Sequence, residues 1–137
     1  MPIKALSAAV AAIALAFAAP ATAQTAGRSL VSIYHVAPGQ HIGFLKWLDH
    51  QDQMSAAAGI AKGQLYVHTD GASWDYVVIS PVNSEAQDAA FDAVATKMGM
   101  NPARGGIELR KHISSHSDTF TRGPMSAGDY LKSMGEK

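Results

Sequence analysis

The chain has no cysteine. Disulfide staples, thiolate zinc sites and haem attachment through C-x-x-C-H are therefore excluded, and the fold must be held by its core. Net charge is missing too, since 11 Lys and Arg balance 11 Asp and Glu across 137 residues. Such a balance gives no electrostatic footprint for nucleic acid as a partner. There is no nucleophile elbow, phosphate-cradling glycine loop or close carboxylate pair, so hydrolase and kinase chemistry have nothing to stand on. Gly105-Gly106 lacks the preceding strand and the lysine that a phosphate loop needs. The Ala-rich apolar run over residues 5–19 is shorter than the ~20 residues of a membrane-spanning helix.

What is present begins with the pattern of an export signal. Lys4 precedes the apolar run, Pro20 breaks it, and Ala21-Thr22-Ala23 fits small-x-small cleavage before Gln24. The expectation is a signal peptide over residues 1–23, a periplasmic or secreted protein, and no membrane association after cleavage. No cysteine lies at the junction to carry a lipid anchor. Of the 137 residues, 114 follow Ala23, and loss of Lys4 leaves ten basic against eleven acidic groups. That length suits one domain. Residues 24–29 read as a polar lead-in, 30–123 as the domain, and 124–137 as a C-terminal helix or tail.

The organising stretch is residues 63–81. Two β-rich runs, 64–69 and 74–80, flank Asp70-Gly71-Ala72-Ser73, a strong hairpin signal. The second run carries Tyr76, Val77, Val78 and Ile79 without polar alternation, which predicts a strand covered on both faces. Ahead of the hairpin, residues 30–36 form a first strand with Val31, Ile33 and His35 on one side and Ser32, Tyr34 and Val36 on the other. A helix is expected over 40–58, presenting Phe44, Leu45, Trp47 and Leu48. After the hairpin, Ser84-Glu85-Ala86-Gln87 is a capping box opening a helix to about Met98. Asn101-Pro102 looks like the start of a third helix over 102–116, residues 118–122 a fourth strand, and Ser126 the start of a terminal helix. The order β-α-β-β-α-(α)-β-α predicts an α+β fold: a ferredoxin-like split β-α-β antiparallel sheet with helices on one face. A bare apolar face then calls for a second copy, giving a homodimer.

At Val36-Ala37-Pro38-Gly39, Phe44-Leu45-Lys46-Trp47-Leu48 and Asp75-Tyr76-Val77, the chain resembles the dimeric α/β-barrel superfamily, whose best-known members are antibiotic-biosynthesis-monooxygenase-like domains. The resemblance covers roughly residues 30–98, and the tail over 110–124 is similar to that of an exported branch with no assigned activity. It implies two sheets packed face to face from two subunits, with a pocket between sheet and helices in each. Members include cofactor-free monooxygenases, haem-degrading enzymes and isomerases, so the fold alone does not set the chemistry.

The chemistry-bearing residues are six histidines and a set of aromatics. On the predicted third helix, His112 and His116 stand at i and i+4, a spacing that chelates a transition metal or flanks a haem, with Asp118 as a third ligand. Read plainly, the pair edges a core-facing side and Asp118 caps a turn. His35 is either a core histidine satisfied in the helix layer, the reading favoured here, or a proton-moving group in the subunit–subunit pocket. His68 falls on an exposed sheet rim; His41 and His50 are surface residues. Tyr34 and Tyr76 each offer a hydroxyl beside apolar surface, and Trp74 adds aromatic area. The ligand-lining set is thus Tyr34, His35, Trp74, Tyr76, His112 and His116, with His35 and His112 as catalytic candidates.

The leading expectation is an exported homodimer that binds a small apolar or aromatic molecule, with no cofactor. A cofactor-independent monooxygenase or isomerase is the first alternative. Metal or haem binding through His112 and His116 is the second.

Overall fold

The computed structural model describes residues 27–136. The expected signal segment and its cleavage site lie outside them. β1 (Gly27–Val36) starts three residues earlier than the apolar pattern alone indicates, because Gly27 and Arg28 already pair with the last strand. It is followed by α1 (His41–Ala57), β2 (Gln64–Val67), β3 (Tyr76–Pro81), α2 (Glu85–Lys97), a 3-10 turn at Pro102–Arg104, α3 (Gly105–Arg110), β4 (Ile113–Gly123) and α4 (Ala127–Ser133). The strands form one antiparallel sheet in the order β2-β3-β1-β4. That order with this element sequence is a ferredoxin-like α+β fold.

Local chemistry explains most boundaries. The capping box forms as the sequence predicts: Gln87 N–H donates to Ser84 Oγ at 3.3 Å, and Ser84 N–H donates to Gln87 Oε1 at 2.8 Å. α1 ends where Gly59 turns left-handed at φ +70°, a conformation a side chain would strain. Ser126 caps α4 by accepting from Asp129 N–H.

Residues 111–116 depart from expectation. The third helix stops at Arg110, and β4 begins at Ile113 instead of Asp118. Tertiary pairing overrides local preference here. β4 bonds along the whole of β1, from Gly27 opposite Gly123 to Val36 opposite Ile113, and a ladder of that length outweighs a helix carrying two internal glycines. The hairpin strands are also shorter than expected, with residues 68–75 forming the connection.

One face of the sheet holds the core. Tyr34 and Val36 from β1, Tyr76 and Val78 from β3, and Ile113 from β4 pack against Phe44 of α1. Phe44 is fully buried at 0% exposure; its ring lies 4.9 Å from that of Tyr34 and 5.2 Å from that of Tyr76. Leu45, Trp47, Leu48 and Leu109 pack around this cluster, so α1 and α3 share that side of the sheet. Ala95 of α2 is buried, whereas Met98, just past the end of α2, is 42% exposed. Alternation along β1 and β3 sends Val31, Ile33, His35, Val77 and Ile79 to the opposite face.

Truncating Phe44 to Ala removes the side chain that ties α1 to two strands, and is expected to cost about 3–5 kcal/mol in urea unfolding. A second expectation concerns alkali. Burial raises the Tyr34 phenol above its ordinary 10.0; a hydrogen bond with Ser32 opposes the shift and the Asp118 charge adds to it. The unfolded phenol loses its proton first, so Tyr34's contribution is complete below pH 10.0 and lost as pH climbs to the raised native value. Stability of Tyr34→Phe should fall less steeply above pH 10.0 than that of the parent, measured by urea midpoints.

Candidate functional site

The helical spacing of α1 puts Gly43, Lys46, Trp47 and His50 along one side at i, i+3, i+4 and i+7. Across from them run Gly99, Met100 and Asn101, then Arg104 and Glu108, with His112 closing the end. Together they bound an open cleft of ≈ 650 Å³ on the helical side of the molecule. A cavity of that size falls in the usual range for small-molecule sites.

His112 is positioned by two contacts. Its Nδ1 lies 3.3 Å from Gln40 Oε1, and the absence of a side chain at Gly43 gives the ring its place. A Cβ at Gly43 would meet His112 Nδ1 at 2.8 Å and Cε1 at 3.0 Å. With Nδ1 engaged by Gln40, Nε2 is the nitrogen left for other chemistry. Glu108 accepts from Lys111 Nζ at 2.6 Å. That hydrogen bond is the main reason its carboxyl sits below the ordinary range; burial opposes, and the charges of Lys111, Arg104 and His112 add to the lowering.

The residues singled out from sequence are scattered by the fold. His112 is in the cleft. His116 is not beside it on a helix face, because it belongs to β4: its ring stacks on Tyr34 at 5.9 Å and its Nε2 lies 3.4 Å from Asp118 Oδ2. His112 and His116 therefore do not share the i, i+4 geometry of a helix face, since α3 ends at Arg110 and His116 lies in β4. Among the described residues no group of three or more His, Cys, Asp or Glu is placed to hold a metal ion. Tyr34 and Tyr76 are spent on the core beside Phe44, and the Tyr76 hydroxyl lies 3.3 Å from His41 Nδ1. What should be a pocket between sheet and helices is filled by those rings.

His35 also departs from expectation. It faces away from the helices, and its Nδ1 is buried with no partner, so it is not a satisfied histidine of the helix layer. His68 is half-buried, not on an open rim; its ring meets the edge of Trp74 at 5.0 Å, and its Nε2 also lacks a partner. Trp74 sits with it in the hairpin connection, away from the cleft. Sequence reasoning missed Lys46, Trp47, His50 and Arg104 as neighbours. The period of α1 carried the first three, but nothing local brings Arg104 opposite them.

Gly43→Ala tests the packing of His112. Alanine gains up to about 1 kcal/mol of helix propensity over glycine. The new methyl must displace the imidazole, so stability should change by less than about 1 kcal/mol while the His112 ring resonances shift in NMR spectra.

No protein-family model and no curated protein matches the sequence. Solved structures do align with it. A Pseudomonas aeruginosa protein is 14% identical with a TM-score of 0.49, covering 74% of this chain and 97% of its own. A dimeric ferredoxin-like protein of unknown function from Thermobifida fusca is 8% identical with a TM-score of 0.47, covering 73% and 93%. A NIPSNAP domain protein from Burkholderia xenovorans is 12% identical with a TM-score of 0.44, covering 73% and 96%. These are distant likenesses, and the fold assignment rests on the strand order of the chain itself.

Proposed function

We propose that this ferredoxin-like chain is an exported homodimer that binds a small molecule with an apolar or aromatic body in the cleft between α1 and the α2–α3 connection. The observation that carries the binding reading is the cleft itself. Trp47 and Met100 supply apolar wall, polar groups converge from α1, Arg104 and His112, and the packed core does not fill the space. Pairing is supported by the other side of the sheet, where Val31, Ile33, Val77 and Ile79 form an apolar strip opposite to the face on which α1 and α3 pack. The strip is bounded by Ser115, Ser117, Thr119 and Thr121 of β4, which gives it the apolar centre and polar border of a protein interface. Export is supported by the Lys4 to Ala23 pattern.

Sedimentation velocity of the mature chain should give a dimer at micromolar concentration. Ile33→Asp should shift it towards monomer by raising the dissociation constant at least about tenfold, with the circular dichroism spectrum retained. A parent protein that is monomeric throughout would remove the pairing. N-terminal sequencing of the exported product should begin at Gln24.

A second reading uses the same cleft: cofactor-independent proton transfer by His112, whose Gln40 contact leaves Nε2 as the acid–base nitrogen. Oxygen uptake with phenolic substrates should then fall by about 100-fold or more in His112→Ala and stay unchanged in His35→Ala, since His35 lies on the far face. Equal rates in parent and His112→Ala would end that reading.

A further inference from the structure

We infer that the molecule held in the helix-side cleft is a small organic anion, a monocarboxylate whose acidic head meets Arg104 and Lys46 and whose body lies along Trp47 and Met100. The inference rests on the proposed ligand-binding role of the cleft and adds the chemical class of the ligand.

The charge pattern is the first reason. Lys46 and Arg104 both line the cleft, and among the described residues neither has a carboxylate oxygen within 4.0 Å. Glu108 is the acid in the lining, and its Oε2 is engaged by Lys111 Nζ at 2.6 Å, a lysine that is not part of the wall. One positive charge is thus in excess in a concave, partly apolar space, where it interacts more strongly than on open surface.

The hydrogen-bonding inventory is the second. Asn101 Oδ1 already accepts from Ala103 N–H at 3.0 Å, which leaves the amide NH₂ as the group it can offer. Gln40 Oε1, the nearby neutral acceptor, is taken up by His112 Nδ1 at 3.3 Å. The ammonium of Lys46 and the guanidinium of Arg104 donate only. With the unpartnered Trp47 Nε1–H counted, and the second Glu108 oxygen as the acceptor set against them, the uncommitted side-chain groups around the cleft are mostly donors and suit a ligand rich in acceptors. A carboxylate supplies two oxygens in one plane, matched to the forked donors of arginine. The Trp47 ring and the Met100 thioether then take an aryl or short alkyl body, a pairing that suits both side chains.

Two tryptophans are present, Trp47 in the cleft and Trp74 outside it, which supplies a direct readout. In the Trp74→Phe background, Trp47 fluorescence should change saturably on titration with a panel running from benzoate and hexanoate to 1-naphthoate. The matched amides should bind at least about tenfold more weakly, because they lack the charge that arginine and lysine pair with. Arg104→Gln and Lys46→Gln should each weaken carboxylate binding by about tenfold or more without altering the thermal midpoint. Amides that bind as tightly as the acids, or Gln variants that bind the acids as well as the parent, would overturn the anion assignment and leave the small-molecule cleft standing. No saturable response to any acid or amide would overturn both. Inorganic phosphate or sulfate competing as strongly as the organic acids would also count against it, since the apolar wall would then contribute nothing.

Discussion

The packing of Phe44 against both Tyr34 and Tyr76 is the contact on which the rest of this molecule depends. It fixes α1 over the centre of the sheet, and so decides which face of β1 is inside. β1 is hydrogen-bonded on both edges, by β3 and β4, and cannot turn over without breaking two ladders. Once Tyr34 and Val36 are committed to the helices, Val31, Ile33 and His35 must lie on the other side. A single aromatic cluster thereby determines both the core and the face of the sheet that α1 leaves uncovered.

The same cluster decides where open space remains. Rings that might have lined a pocket between sheet and helices fill it instead, and the remaining concavity opens further out, where α1 faces the connection after α2. There the chain places groups of a different kind: a tryptophan ring and a methionine for apolar contact, and Lys46 and Arg104, neither of which has a carboxylate oxygen within 4.0 Å among the described residues. The early end of α3 matters to this arrangement. Because Ile113 enters the sheet, His112 is held at the turn between helix and strand, against Gly43 and Gln40, and closes one end of the cleft.

Among the described residues, the buried ring nitrogens without a partner are His35 Nδ1, His68 Nε2 and, on α1, Trp47 Nε1. His35 lies on the side of the sheet away from α1, and His68 lies in the hairpin connection. A buried polar atom without a partner carries a cost of about 1–3 kcal/mol.

The sequence by itself determined those features that arise within a few residues of one another. The hairpin around Gly71, the capping box at Ser84, the turn at Gly59 and the amphipathic face of α1 are local matters of backbone geometry and spacing, and they specify the β-α-β-β-α-β order and hence the α+β sheet. Contact between distant segments was left for the tertiary structure to decide. Whether residues 111–117 became helix or strand depended on the offer of a full-length ladder along β1, and that ladder separated His112 from His116. Which side of β1 faced the helices could not be read from its own alternation, because both sides are apolar enough to be buried. Arg104 met Lys46 and Trp47 only through the docking of two helices, since no local pattern encodes a neighbour nearly sixty residues away.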